Sequence, residues 1–105
     1  MPDSARPDPI PDFARRVLDL VESVPRGKVV SYGDIAEILG DGGPRQVARV
    51  MSRWGAEVPW HRVVRADGSC AAEVADRQLR LLRAERVPLR SAHNRVDMRR
   101  ARWHP

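Results

Sequence analysis

Apolar side chains recur along this chain first with a helical rhythm, then in two short bursts, then irregularly. Phe13, Val17, Leu20, Val21 and Val24 fall at i, i+4, i+7, i+8 and i+11, one face of an amphipathic helix. Asp12 after Pro11 is a candidate N-cap, and Pro25-Arg26-Gly27 supplies the stop. Lys28-Val29-Val30 is long enough for one small strand. Ser31 followed three residues later by Asp34 has the form of a capping box and opens a second helix. Ile35, Ala36, Ile38 and Leu39 would be its buried side, and Gly40-Asp41-Gly42-Gly43 closes it. Pro44, suited to a first helical turn, begins a third helix that the pattern carries to about Trp54. Val47, Val50, Met51 and Trp54 would face inward there, while Arg45, Arg49 and Ser52 or Arg53 form the opposite stripe. Helix, glycine-rich turn and helix with a basic outer face is the pattern of a helix-turn-helix.

The second half is less periodic. Val63-Val64 can form a strand, and Arg65-Ala66-Asp67-Gly68 reads as a hairpin turn, so a small β-wing is predicted beside the helices. A last helix is predicted from about Glu73 to Arg86, with Val74, Leu79, Leu81 and Leu82 apolar. From Ser91 onward the residues are polar and arginine-rich, with Val96, Met98 and Trp103 scattered among them. The expected organisation is a disordered leader over 1–11, one domain over 12–90, and a basic flexible tail over 91–105. The expected fold class is mainly α with a small β-wing, a winged-helix-type helix-turn-helix domain.

Composition narrows the function classes. At 105 residues the chain suits one domain. The leader has four prolines and no apolar h-region, unlike a signal peptide, and no run approaches the roughly 20 apolar residues of a membrane span. A single cysteine, Cys70, excludes an internal disulfide or a multi-cysteine metal site, and a reducing cytoplasm is the expected compartment. The charge map is more telling. Residues 1–41 carry five basic and eight acidic side chains, whereas 42–65 carry five arginines against Glu57 alone, and 91–105 are again basic. A basic middle segment is the electrostatic footprint of a polyanion such as nucleic acid. The competing explanation is a solvated surface in an arginine-biased sequence, since 18 of the 19 basic residues are arginine.

Three pieces carry chemistry when taken together: Ser31-Tyr32-Gly33, Pro44-Arg45-Gln46-Val47 and Pro59-Trp60-His61-Arg62-Val63-Val64. In this order and spacing, over roughly residues 13–88, they resemble the DNA-binding domain of O6-alkylguanine-DNA alkyltransferases. That family reads Pro-Cys-His-Arg-Val at the third piece, and its cysteine accepts the alkyl group. Trp60 at that position looks like the alkyltransferase-like proteins, which bind such lesions without transferring the group. The resemblance implies the alkyltransferase C-terminal type of fold and binding through the minor groove of duplex DNA containing O6-alkylguanine. It also implies nucleotide flipping with a signal to nucleotide excision repair, by a monomer working in the cytoplasm on the nucleoid. It places Tyr32 against the phosphate beside the lesion and Arg45 in the space left by the extruded base, with Gln46 and Arg49 as groove or backbone contacts. Pro59, Trp60, His61 and Glu85 would form the lesion pocket, His61 and Glu85 being the remnant of the relay that activates the enzymes' cysteine.

Chemistry agrees with a binder. Alkyl transfer needs a thiolate, and an indole offers no comparable nucleophile at neutral pH, only a flat apolar wall and one N–H donor. No catalytic residue, cofactor or metal is expected. The chain departs from the family pattern at Ala48 and Arg86, where glycine is common, and in its shorter 51–59 and 70–77 segments. Two rivals stand beside this reading: an active alkyltransferase using Cys70 or another group, and a sequence-specific helix-turn-helix regulator.

Overall fold

In the computed structural model, residues 10–92 and 94–105 are described. Helix α1 spans Asp12–Ser23, with Ala14, Val17 and Val21 buried. Its N-cap is Pro11 rather than Asp12. Asp12 instead lies in the first turn, where its carboxylate reaches Arg16 one turn on at 3.2 Å. The helix stops at Val24, whose extended backbone is the conformation that the following Pro25 imposes. Most of the predicted leader, residues 1–9, lies outside the described residues, and Ile10 packs against the core.

Strand β1 is Val30–Ser31 and runs straight into α2, Tyr32–Leu39. The predicted capping box is formed: the Ser31 hydroxyl accepts from the Asp34 amide at 2.9 Å, and the Asp34 carboxylate accepts from the Ser31 amide at 2.9 Å. Ile35 and Ala36 are buried, but Ile38 is 41% exposed, because it falls to one side of the face set by Ile35 and Leu39. Helix α3 spans Pro44–Trp54, as the pattern predicts. Val47 and Val50 are buried on it, and Arg45, Arg49, Ser52 and Arg53 are all exposed.

The wing differs from expectation. Two short 3-10 turns, Gly55–Glu57 and Trp60–Arg62, lead into β2, Val63–Val64. This strand pairs in parallel with β1, in the register Val30↔Val63 and Ser31↔Val64. The Arg65–Gly68 turn does close, with the Gly68 amide donating to the Arg65 carbonyl at 2.8 Å. No returning strand follows it, however, because the Gly68 carbonyl accepts from the Val96 amide at 2.9 Å. Gly68 has φ +85, and a Cβ on it would overlap the Val96 carbonyl, so both conformation and close approach demand glycine.

Helix α4 spans Ala75–Ala84 and α5 spans Met98–Ala101. The segment expected to be a flexible tail is packed from Val96 onward. Val96 and Ala101 have no exposed surface. Val29 donates to the Ala101 carbonyl at 3.0 Å and accepts from the Trp103 amide at 2.8 Å, laying Arg102 parallel beside it. The scattered apolar residues thus have partners, but through a bridge, one helical turn and another bridge, which share no single period. The alternation of the small sheet divides the core in two. Val30 and Val63 face the α1–α2–α3 side, whereas Val29 and Val64 face a second cluster with Leu79, Leu82, Val87 and Val96.

Candidate nucleic-acid interface

A cavity of about 440 Å³ opens between α2, α3, the Trp60 turn and α4, within the range of small-ligand sites. Tyr32, Ala48, Met51, Ser52, Trp60, Val74 and Arg77 are among its walls. Tyr32 is placed by the capping box immediately before it, as the first residue of α2. Its phenol is half-buried, and burial raises its pKa against an opposing pull from the nearby Arg65 cation. Trp60 opens the second 3-10 turn, following Pro59, whose carbonyl accepts from the Arg62 amide at 3.0 Å. The Arg77 guanidinium lies over the indole, 4.9 Å from its centroid, and His61 meets it edge-on at 6.2 Å.

The structure unites only part of the predicted lesion pocket. Trp60 and Tyr32 share the cavity, whereas Pro59, His61 and Glu85 are not among its walls. Glu85, with a side chain only 7% exposed, instead receives donors from Arg62, His61 and, at 3.5 Å, the Gly27 amide. Arg62 grips it in bidentate fashion at 3.0 and 2.7 Å, and His61 Nε2 lies 2.8 Å from its Oε2. Burial pushes the Glu85 carboxyl up, but the Arg62 and His61 hydrogen bonds outweigh it and hold the pKa at about 2. An ionised carboxylate only accepts, so His61 Nε2 carries the proton in that contact. Arg62 also donates to the Val24 carbonyl at 2.9 Å, tying the Trp60 turn to the end of α1. The trio anchors the turn beside the cavity rather than walling it.

Arg45 and Arg49 stand exposed one turn apart on α3, the helix that supplies Ala48, Met51 and Ser52 to the cavity. Gln46 is exposed too, but its Oε1 accepts from the Gly43 amide at 3.0 Å, capping α3 and leaving its amide donors for other partners. Two residues of consequence escaped sequence reasoning. Gln78 is 3% exposed and donates to the His61 carbonyl at 3.0 Å and the Val63 carbonyl at 2.8 Å, fastening α4 to the Trp60 turn. Arg77 was indistinguishable from its solvated neighbours, although its i+3 relation to Val74 placed both on one side of the predicted helix. Among the described residues no group of histidine, cysteine and acidic side chains could hold a metal ion.

A helical hairpin with a basic outer face, beside a cavity with tyrosine and tryptophan in its walls, is the arrangement of a DNA-binding domain. Residues 12–87 match the family of the 6-O-methylguanine DNA methyltransferase DNA-binding domain. A DNA base-flipping protein of Escherichia coli is 38% identical over 97 residues, covering 88% of this chain and 74% of that one. The structure of Schizosaccharomyces pombe Atl1 in complex with damaged DNA containing O6-carboxymethylguanine superposes with a TM-score of 0.79. It is 30% identical, with 93% of this chain and all of that one covered. The Mycobacterium tuberculosis O6-methylguanine methyltransferase superposes less fully, with a TM-score of 0.64 and 31% identity over 80% of this chain and 55% of that one. The chain belongs to the methylguanine methyltransferase DNA-binding family, in its alkyltransferase-like branch.

Proposed function

We propose that this protein recognises alkylated guanine in duplex DNA by extruding it into the Trp60 cavity, and that it performs no alkyl transfer. One observation carries the reading: Trp60 and Tyr32 stand in the walls of one cavity, and the resemblance sets Trp60 against the cysteine of the transferases' motif. The indole gives the incoming base an apolar wall, and the Arg77 guanidinium stacked over the indole adds a cation to the same cavity. Arg45 fills the vacated stack, offsetting part of the few kcal/mol that unstacking costs. Arg49 and the free amide donors of Gln46 hold the DNA backbone without reading sequence. His61 and Glu85 serve the turn's structure. The bound complex acts as a marker on chromosomal DNA that nucleotide excision repair takes over, and a monomer suffices for it.

Matched duplexes with and without O6-methylguanine, titrated against the protein, test this. The lesion duplex should bind more tightly, and Tyr32→Ala and Arg45→Ala should each remove the preference while leaving salt-dependent binding to plain DNA. Equal affinity for both duplexes, with a preferred undamaged sequence, would establish a helix-turn-helix regulator instead. DNA labelled on its alkyl group should leave no label on the protein. The rival nucleophile Cys70 is buried outside the cavity walls, and burial raises its thiol pKa, which disfavours the thiolate that transfer requires.

A further inference from the structure

The parallel register of the two-stranded sheet sets a second residue beside Tyr32. Ser31 pairs with Val64, so Tyr32 and Arg65 leave β1 and β2 at the same level. Arg65 is exposed, and its guanidinium has no hydrogen bond or ion pair among the described residues. Its charge opposes the rise of the Tyr32 phenol pKa, in keeping with the place beside Tyr32 that the register gives it. Two cations packed around the Trp60 turn are engaged. Arg62 is spent on Glu85 and the Val24 carbonyl, and Arg77 lies over Trp60.

A nucleotide whose base enters the cavity leaves its sugar and phosphodiester outside, at the rim where Tyr32 stands. That phosphodiester carries a full negative charge, and an unpaired guanidinium is the side chain best shaped to meet it. We infer that Arg65 binds the phosphodiester flanking the extruded nucleotide, making with Tyr32 a two-residue clamp at the cavity rim. The inference rests on base extrusion: Arg65 meets this phosphate only once the nucleotide has rotated outward. It therefore supports the damaged complex more than the plain one.

A chemical cycle tests the pairing. The full chain and Arg65→Gln are titrated with O6-methylguanine duplexes having native phosphates, or one uncharged methylphosphonate immediately 5′ or 3′ of the lesion, or one five nucleotides away. Arg65→Gln should weaken binding to the native lesion duplex about tenfold, the scale of a charged hydrogen bond, with little change on undamaged DNA. One flanking methylphosphonate should cost the wild type a similar factor and cost Arg65→Gln almost nothing. The remote one should cost both alike, and Arg65→Lys should keep much of the flanking sensitivity. If both flanking methylphosphonates cost Arg65→Gln as much as they cost wild type, the assignment is overturned. A 2-aminopurine opposite the lesion reports unstacking in the same samples. A fluorescence rise with a non-coupled cycle removes only the Arg65 assignment; no rise with wild type removes base extrusion, and the clamp with it.

Discussion

Replacing Glu85 by glutamine separates the electrostatic role of this carboxylate from its shape. Lowering a carboxyl from 4.5 to about 2 on folding contributes about 3 kcal/mol at neutral pH, at roughly 1.4 kcal/mol per pH unit. The side chain is 7% exposed, so solvent screening removes little of this. The sign follows from the depressed pKa: the contribution is complete above about pH 4.5 and disappears as pH falls towards 2. A domain of this size holds about 5–15 kcal/mol in all, so the loss should appear as a steep acid limb. Glu85→Gln cannot carry the charge, and it leaves the Arg62 guanidinium partly buried without a counter-ion, a change that costs about 3–5 kcal/mol at neutral pH. The variant should therefore be weaker at pH 7 yet lose less stability between pH 5 and pH 2. Urea unfolding followed by Trp fluorescence, repeated at half-unit pH steps, measures both curves. Parallel acid limbs in wild type and variant would refute the reasoning and place the titrating group elsewhere.

Arg86 adopts φ +60 just after α4, where its amide and that of Val87 return to the Arg83 and Leu82 carbonyls in the manner of a Schellman cap. Arg86→Gly should relieve that left-handed strain, adding about 1 kcal/mol and raising Tm by about 5 °C in calorimetry; a lower Tm would contradict it. Gly68→Ala should cost more than about 1 kcal/mol and accelerate hydrogen exchange at the Val96 amide, because the added methyl meets the Val96 carbonyl. Trp60→Cys places a thiol next to His61, but the cavity walls contributed by the 51–59 and 70–77 segments remain those of this chain. Labelled-DNA assays should detect weak alkyl transfer at best, and rapid stoichiometric transfer would show that the acceptor alone separates the two activities.

Helices α1, α2 and α3 were legible because each buries one face of a continuous helix, and local spacing records that directly. The capping box was legible for the same reason, since Ser31 and Asp34 are both donors and acceptors within one turn. The parallel pairing of Val30 with Val63 was not. Its partners lie 33 residues apart, two-residue strands carry no period, and a glycine turn at 65–68 looks alike whether or not a strand returns after it. The docked C-terminal segment was hidden for a different reason: its binding surface is the β1 edge at Val29 and the cleft at Gly68, so its pattern is written partly in other residues. Gln78 was hidden because a buried amide and a solvated one are the same letter in a helix.

Glu85 and His61 have a structural role that requires no catalysis. The same carboxylate holds Arg62, Arg62 holds the end of α1, and Gln78 holds the His61 and Val63 carbonyls. Removing the carboxylate would leave the Arg62 guanidinium largely buried without its counter-ion, so the stability of the fold alone accounts for Glu85. The position facing the cavity is under no such constraint. Its side chain can change in chemistry while the turn beneath it stays fixed by Arg62, Glu85 and Gln78.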